Sequence, residues 1–198
     1  EDYQNIKYAE KFGDLVSYAK KIDKNIGNGS QFSTAVLKNY FKLMAYKDEY
    51  EVSRLMTNKK FVDDVNKNFE GDFNYNFYLA PPIFSKKSKV DGKLLKVKFG
   101  GWLFNVFKLL SKFKFLRGTK LDPFGYLNER KKERELIRDY KQTITDIGIK
   151  INKSNYETAV KIASVPDQIR GFGHVKEKNI KEAINYRTDL LNSFHENT

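Results

Sequence analysis

Apolar residues recur at every third or fourth position over most of the chain, which is the spacing of amphipathic helices. Ser33 or Thr34 can cap the second of these helices, Asn58 the third and Asn128 the fifth. Seven segments carry the helical pattern: residues 6–22, 33–55, 58–71, 102–115, 128–147, 154–163 and 175–195. The chain is therefore predicted to be mainly α.

The period changes to two after Gly71, which predicts a half-buried strand that ends at Pro81 and Pro82. Residues 93–99 predict a second strand, and Asp91-Gly92 lies in the turn before it. The apolar face of the first strand consists of Phe73, Tyr75, Phe77 and Leu79. We expect one helical domain over residues 1–198 that carries a small antiparallel β-hairpin at 72–99, an α+β fold.

Composition excludes several functions. The 198 residues contain no Cys, so the chain has no disulfide, no thiolate metal site and no Cys nucleophile, and it cannot by itself ligate an iron–sulfur cluster through Cys. No run of 18 apolar residues predicts a transmembrane helix. The absence of Cys favours a reducing cytoplasm. Because the chain begins at Glu1 without a Met, we expect a piece of a longer protein.

Nearly all of the net charge of +12 comes from a basic segment, residues 81–120, which has 11 Lys or Arg and one Asp. This segment is a candidate surface for an acidic protein such as a ferredoxin, for an anionic membrane, or for nucleic acid. Nucleic acid is disfavoured because no binding motif accompanies the charge. The pattern favours solvated lysines beside a helix whose aromatic residues fill the core. The candidate acidic-partner patch is Lys98, Lys108, Lys112, Lys114 and Arg117.

The stretch from Tyr40 to Leu55 places four charged residues in a predicted helix: Lys47, Asp48, Glu49 and Glu51. Lys47 and Glu51 are four residues apart and should face each other. A cluster of charges at a domain interface is one interpretation. The spacing favours the other, a solvated helical stretch with intrahelical ion pairs.

A second candidate is a turn before the last helix. Two glycines there would let backbone N–H groups approach an anion, and a helix N-terminus favours negative charge. A tight interhelical turn with Phe172 as its hydrophobic plug is favoured over anion binding, because no strand precedes the turn and the spacing fits no phosphate-binding motif. The candidate anion-binding turn consists of Arg170, Gly171, Gly173, His174 and Lys176.

No catalytic residue and no metal site is predicted. The serines lack a nucleophile elbow, and the carboxylates show no metal-ligand spacing with His. Gly71-Asp72 is followed by Phe73-Asn74, so the Gly-Asp-Gly pattern of thiamine-diphosphate sites is absent. The segment alone is not expected to be an enzyme.

Several strings occur in a fixed order and together resemble the C-terminal domain of the indolepyruvate ferredoxin oxidoreductase family, the fused 2-oxoacid:ferredoxin oxidoreductases. Where that family usually has FGPW, this chain has Phe99-Gly100-Gly101-Trp102. The resemblance covers about residues 34–179. The strings are FKLMAYKDEYEV, FEGDF, LAPP, LRGTKLDPFGY and IRGFGHVKE.

The resemblance implies a parent enzyme that oxidatively decarboxylates 2-oxoacids to acyl-CoA and passes the electrons to ferredoxin. It implies thiamine diphosphate and iron–sulfur clusters held by other domains, and it assigns no catalytic residue here. The expected role is an accessory domain that packs on the catalytic core and aids docking of the acceptor. The alternative is a free-standing basic module that binds nucleic acid or an anionic membrane surface.

Overall fold

The computed structural model describes residues 2–71, 74–79 and 95–196. Within these ranges the chain forms eight α-helices and one two-stranded antiparallel sheet, which confirms the predicted α+β fold dominated by helices. Two short 3-10 helices, Phe113–Leu116 and Val165–Gln168, follow α5 and α7. The helices are α1 Ile6–Ile26, α2 Gln31–Met44, α3 Glu49–Met56, α4 Lys59–Asn68, α5 Leu103–Lys112, α6 Asn128–Gly148, α7 Tyr156–Ser164 and α8 Gly173–Glu196.

The chain divides into two compact units, a division that the sequence pattern did not indicate. Unit 1 comprises residues 1–46 and 126–198, and unit 2 comprises residues 47–125. Unit 1 therefore holds α1, α2, α6, α7 and α8, whereas unit 2 holds α3, α4, α5 and the sheet.

The core of unit 1 forms where α2 packs against α1, α6 and α7. Phe12, Tyr40 and Tyr140 stack from three of these helices, with neighbouring ring centroids 6.1 and 5.9 Å apart. The Tyr140 hydroxyl donates a hydrogen bond to the carbonyl oxygen of Ala163 at 2.8 Å. Burial raises the pKa of Tyr140, and the charge of Asp167 raises it further.

A buried polar network closes one end of unit 1. The carboxylate of Asp23, which is 3% exposed, accepts hydrogen bonds from the Tyr156 hydroxyl at 2.6 Å and from the Ser33 backbone N–H at 2.8 Å. The Phe32 N–H in turn donates to the Tyr156 hydroxyl. These hydrogen bonds connect the end of α1 to the first turns of α2 and α7. They also stabilise the Asp23 carboxylate, since a buried carboxylate is stable only when its oxygens are hydrogen-bonded.

In unit 2 the two strands pair antiparallel as predicted. Strand β1, Phe77–Leu79, pairs with β2, Val97–Phe99, and Tyr78 lies opposite Lys98. Phe77 packs against Leu103 and Phe107 of α5 to form a small apolar core. The predicted Pro81-Pro82 end, the Asp91-Gly92 turn and the strand residue Phe73 lie outside the described residues.

The predicted helix over 33–55 is wrong as one continuous element. The chain leaves the helix at Ala45 and begins a new one at Glu49. Asp48 has an extended backbone, and its side chain accepts a hydrogen bond from the Glu51 N–H at 2.8 Å, so it is the N-cap of α3. Lys47 and Glu51 consequently do not share a helix and do not form the predicted i,i+4 pair.

Side-chain caps begin two further helices, α1 and α4. The Asn58 side chain accepts from the Lys60 N–H and begins α4, as predicted. Asn128 is the first residue of α6 rather than its cap; Leu127 occupies the cap position without a side-chain hydrogen bond. The first helix is also capped by an asparagine, Asn5, and ends at Gly27 with a φ of 73°.

Candidate functional site

The candidate site is a buried polar cluster in unit 2, where Asp48 pairs with Arg117. The side chains of both residues are 3% exposed. The Arg117 guanidinium donates two hydrogen bonds to the carboxylate, one from Nε to Oδ2 and one from Nη2 to Oδ1 at 2.8 Å. This bidentate geometry is the arrangement in which a buried ion pair best compensates its loss of hydration.

A second buried carboxylate, Asp122, organises the turn that follows Arg117. Its Oδ2 accepts from the Gly118 N–H at 2.9 Å, and its Oδ1 accepts from the Phe124 N–H and from the Tyr50 hydroxyl, both at 3.1 Å. Gly118 has a φ of +75°, a conformation that favours glycine. The turn is therefore fixed by its own aspartate.

Tyr50 joins these two carboxylate clusters. Its ring lies beneath the Arg117 guanidinium at 5.7 Å and meets the Phe124 ring edge to face. Burial raises the pKa of Tyr50, and the charge of Asp122 and its hydrogen bond raise it further. The hydroxyl consequently stays protonated and acts as a hydrogen-bond donor at neutral pH.

The structure brings together two of the strings that carry the resemblance. FKLMAYKDEYEV supplies Asp48 and Tyr50, and LRGTKLDPFGY supplies Arg117 and Asp122. The partners are 69 and 72 residues apart in sequence. Spacing within either string gave no sign of these contacts, because the partners of the Arg117 guanidinium and of the Tyr50 hydroxyl come from the other string.

The predicted charge cluster at residues 47–51 is thus split between solvent and interior. Asp48 and Glu51 are buried, so the favoured interpretation as a solvated helical stretch is wrong for both. Glu51 accepts two hydrogen bonds from the Arg54 guanidinium, at 2.8 and 2.7 Å. Lys47 is exposed in the connecting loop, and Glu49 lies in the first turn of α3, where its charge favours the helix dipole. A role of these charges at an interface stays a prediction.

The predicted anion-binding turn lies in unit 1 and leads into α8. Gly171 has a φ of +90°, and Gly173 and His174 are the first residues of the helix. Arg170 donates from Nε to the Asp167 carbonyl oxygen at 3.0 Å. Lys176 is half-buried and contacts the Glu133 carboxylate at 2.6 Å. Arg170 and His174 are exposed.

Phe172 does not plug this turn. Its side chain is 81% exposed, so the favoured interpretation of the segment as a turn held by that residue is wrong. The turn is held instead by a hydrogen bond from Asn179 Nδ2 to the Arg170 carbonyl oxygen at 2.9 Å.

The structure adds two cations to this turn that sequence reasoning missed. Lys42 donates to the Pro166 carbonyl oxygen at 2.7 Å, and Lys38 pairs with Asp167 at 3.0 Å. Burial lowers the pKa of Lys42; the charge of Asp167 opposes this, while those of Arg170, Lys38 and Lys176 add to it. Both lysines lie on α2, more than 120 residues away in sequence, so no local motif could have revealed them. Anion binding here stays a prediction.

The candidate acidic-partner patch loses one of its five members. Arg117 is 4% exposed and its charge is neutralised by Asp48, so it cannot meet an external partner. Lys98, Lys108 and Lys112 are exposed, and Lys114 is half-buried. Two further lysines of the basic segment, Lys96 and Lys120, are exposed, and the remaining four, Lys86, Lys87, Lys89 and Lys93, lie outside the described residues.

The aromatic residues of the basic segment do not all fill the core. Phe107 is buried and Phe104 is half-buried, as expected. Trp102 and Phe115, however, are 60% and 59% exposed. Some aromatic residues of this segment are therefore packed in the core of unit 2, and others are exposed to solvent.

The described ranges, 2–71, 74–79 and 95–196, contain no group of three or more His, Cys, Asp or Glu side chains placed to hold a metal ion. None of their helices is long and apolar enough to cross a membrane.

These features define a helix-dominated α+β protein whose polar interior is built from motif residues far apart in sequence. The chain belongs to DUF6537, a family of unknown function, whose sequence profile matches residues 1–188. No curated protein and no solved structure matches the chain.

Proposed function

We propose that this chain is an accessory domain of a 2-oxoacid:ferredoxin oxidoreductase resembling the indolepyruvate ferredoxin oxidoreductase family. The observation that carries the proposal is the ordered set of strings from FKLMAYKDEYEV to IRGFGHVKE. In the parent enzyme, thiamine diphosphate and iron–sulfur clusters in other domains perform the oxidative decarboxylation. This domain packs on that catalytic core.

The chemistry of the strings supports a structural rather than a catalytic role. A catalytic acid or base needs access to substrate, and a nucleophile needs an adjacent base. Asp48 and Arg117 instead neutralise each other in the interior, and Asp122 is occupied by two backbone N–H groups and a phenol. Residues engaged in this way hold the shape of the domain.

The proposed accessory role has a second part, the docking of an acidic electron acceptor such as ferredoxin. The exposed lysines of the basic segment support it. Lys98, Lys108 and Lys112 are free of ion pairs with Asp or Glu among the described residues. Complementary charge mainly accelerates encounter with a partner and makes it sensitive to salt. These lysines would therefore affect the KM for the acceptor rather than the chemistry on the 2-oxoacid.

The first experiment is to express the native gene that encodes this chain and to assay the purified protein. We expect a 2-oxoacid and coenzyme A to drive reduction of ferredoxin, with thiamine diphosphate and iron–sulfur clusters bound to the purified protein. A native product that has neither cofactor nor this activity would refute the proposed function and favour a free-standing basic module.

The docking role is tested in the same enzyme by neutralising three lysines to Gln: Lys108, Lys112 and Lys114. We expect the KM for ferredoxin to rise by about threefold to tenfold at low ionic strength and the difference to shrink in high salt. The rate with a small uncharged artificial acceptor should not change.

A matched triple variant in unit 1 controls for the change in net charge. It neutralises three exposed lysines that are not part of the basic segment: Lys150, Lys153 and Lys161. If both triple variants raise the KM equally, the effect is one of overall charge and the acceptor does not dock on the basic segment.

A further inference from the structure

Helix α5 presents a line of large apolar side chains to solvent. This α5 stripe consists of Trp102, Val106, Leu109 and Phe113, which are 60%, 43%, 58% and 38% exposed. Their spacing of four, three and four residues places them on one face of a helix. A different face of the helix carries Leu103 and Phe107, which are buried in the core of unit 2. The stripe is thus a second apolar face that the helix does not use within its own unit.

The stretch of chain that forms the stripe and flanks it on both sides carries charge of one sign. Residues 95–121 contain no Asp or Glu. Lys112 lies beside the stripe on α5, and Lys108 lies further round with its Nζ 4.9 Å from the centroid of the Phe104 ring. Lys98 projects from the neighbouring strand, next to Phe99, whose ring meets Trp102 edge to face. A partner for this face therefore has to be apolar at its centre and acidic at its edge.

The geometry selects one kind of partner. A second copy of α5 would bring lysines against lysines, which is unfavourable. A helix that lies in a membrane interface buries a wide apolar face, whereas the exposed residues of the stripe follow one narrow line and Leu103 and Phe107 of α5 face the core. Apolar residues alternating at steps of three and four form the seam between two packed helices.

We propose that the α5 stripe is a docking site for an amphipathic helix of a partner protein whose apolar seam is bordered by Asp and Glu. The stripe covers 12 residues and is about 16 Å long, which matches about three turns of the partner. Trp102 and Leu109 enter the seam, and Lys108 and Lys112 meet the acidic border. The proposal concerns the chemistry of the partner and does not depend on the proposed function.

The chain contains a single Trp, and it is in the stripe, so its fluorescence reports occupancy directly. The probes are two synthetic three-heptad helical peptides with Leu at positions a and d. One has Glu and the other Lys at positions e and g. The Glu peptide should shift Trp102 emission to shorter wavelength in a saturable manner, and added salt should weaken its binding. The Lys peptide should cause no shift at the same concentrations.

Two variants with the same change in charge locate the site. Leu109→Asp places a carboxylate in the stripe and should weaken binding of the Glu peptide at least about tenfold. Leu121→Asp alters an apolar residue of the same unit that is 77% exposed and lies outside the stripe, and it should not change the affinity. Because both side chains are exposed, both variants should keep the far-UV circular dichroism spectrum of the parent chain.

Four results would overturn the proposal. They are the absence of a shift with the Glu peptide into the millimolar range, equal shifts with the two peptides, and equal weakening by the two variants. The fourth is a shift produced by vesicles of phosphatidylcholine and phosphatidylglycerol but not by the Glu peptide, which would make the stripe a membrane-binding surface.

Discussion

The ion pair between Asp48 and Arg117 leads to a prediction about stability. Arg117→Met retains much of the length and apolar volume of the side chain but removes the guanidinium. The Asp48 carboxylate, whose side chain is 3% exposed, would then be left without its cation. A buried charge that loses its partner typically destabilises a fold by about 3–5 kcal/mol. We expect Arg117→Met to lower the free energy of unfolding of unit 2 by this amount.

A second substitution tests whether the uncompensated charge is the cause. Asp48→Asn removes the carboxylate charge while keeping an oxygen that can cap α3, since Asn is as good an N-cap as Asp. The double variant Asp48→Asn/Arg117→Met carries neither charge of the ion pair. The double variant should therefore be no less stable than Arg117→Met alone, which means that the two changes are strongly non-additive.

The assay is urea unfolding followed by the emission of Trp102, which lies in the same unit as the ion pair. Circular dichroism would follow the helices of both units, and the two signals need not coincide in a chain with two compact units. Lys132→Met serves as the control, because the Lys132–Glu135 pair is 45% and 44% exposed and should contribute about 0–1 kcal/mol. A cost for Arg117→Met below about 1 kcal/mol, or additive costs in the double variant, would refute the reasoning.

Two further predictions concern close packing and pH. A Cβ on Gly148 would lie 2.5 Å from Tyr18 Oη and close to α1, so Gly148→Ala should lower the free energy of unfolding by about 1–3 kcal/mol despite the better helix propensity of Ala. Gly13→Ala, a helical control with open space around it, should raise it by about 0.5–1 kcal/mol. A Gly148→Ala variant that is as stable as the parent chain, or more stable, in thermal unfolding would contradict this packing. The raised pKa of Tyr50 means that the folded state holds its proton more tightly than the unfolded state, so this stabilisation is complete below pH 10.0 and is lost as the pH rises above it. Tyr50→Phe should flatten the fall of stability above pH 10.0, and an unchanged slope in urea unfolding at several pH values would count against it.

Local patterns in the sequence were sufficient for elements that are stabilised by their own residues. The Asn58 cap and the apolar face behind it predicted α4, and the alternation around Phe77 predicted a strand that pairs antiparallel. In each case the signal and the structure depend on the same few residues. The fold class could therefore be predicted before any tertiary contact was known.

The candidate sites were less predictable. Helical spacing treated residues 33–55 as one helix, because Lys, Glu and Asp all fit a solvated helical face. The helix is interrupted before Asp48 because the Asp48 side chain caps α3 and also binds Arg117. Arg117 lies 69 residues further along the chain. Likewise, counting charges assigned Arg117 to an external patch, although its partner lies inside the unit.

Sequence by itself determined that the chain is a mainly helical α+β protein, and it contains the strings on which the proposed function depends. Only the tertiary structure decided which charges are buried and which apolar residues remain exposed. The physical reason is that a charge enters the interior only where a counter-charge arrives with good geometry, and that partner comes from a distant segment. The sequence likewise predicted that the aromatic residues of α5 fill the core, and only the packing of unit 2 showed that Leu103 and Phe107 are covered while Trp102 and Leu109 face the solvent.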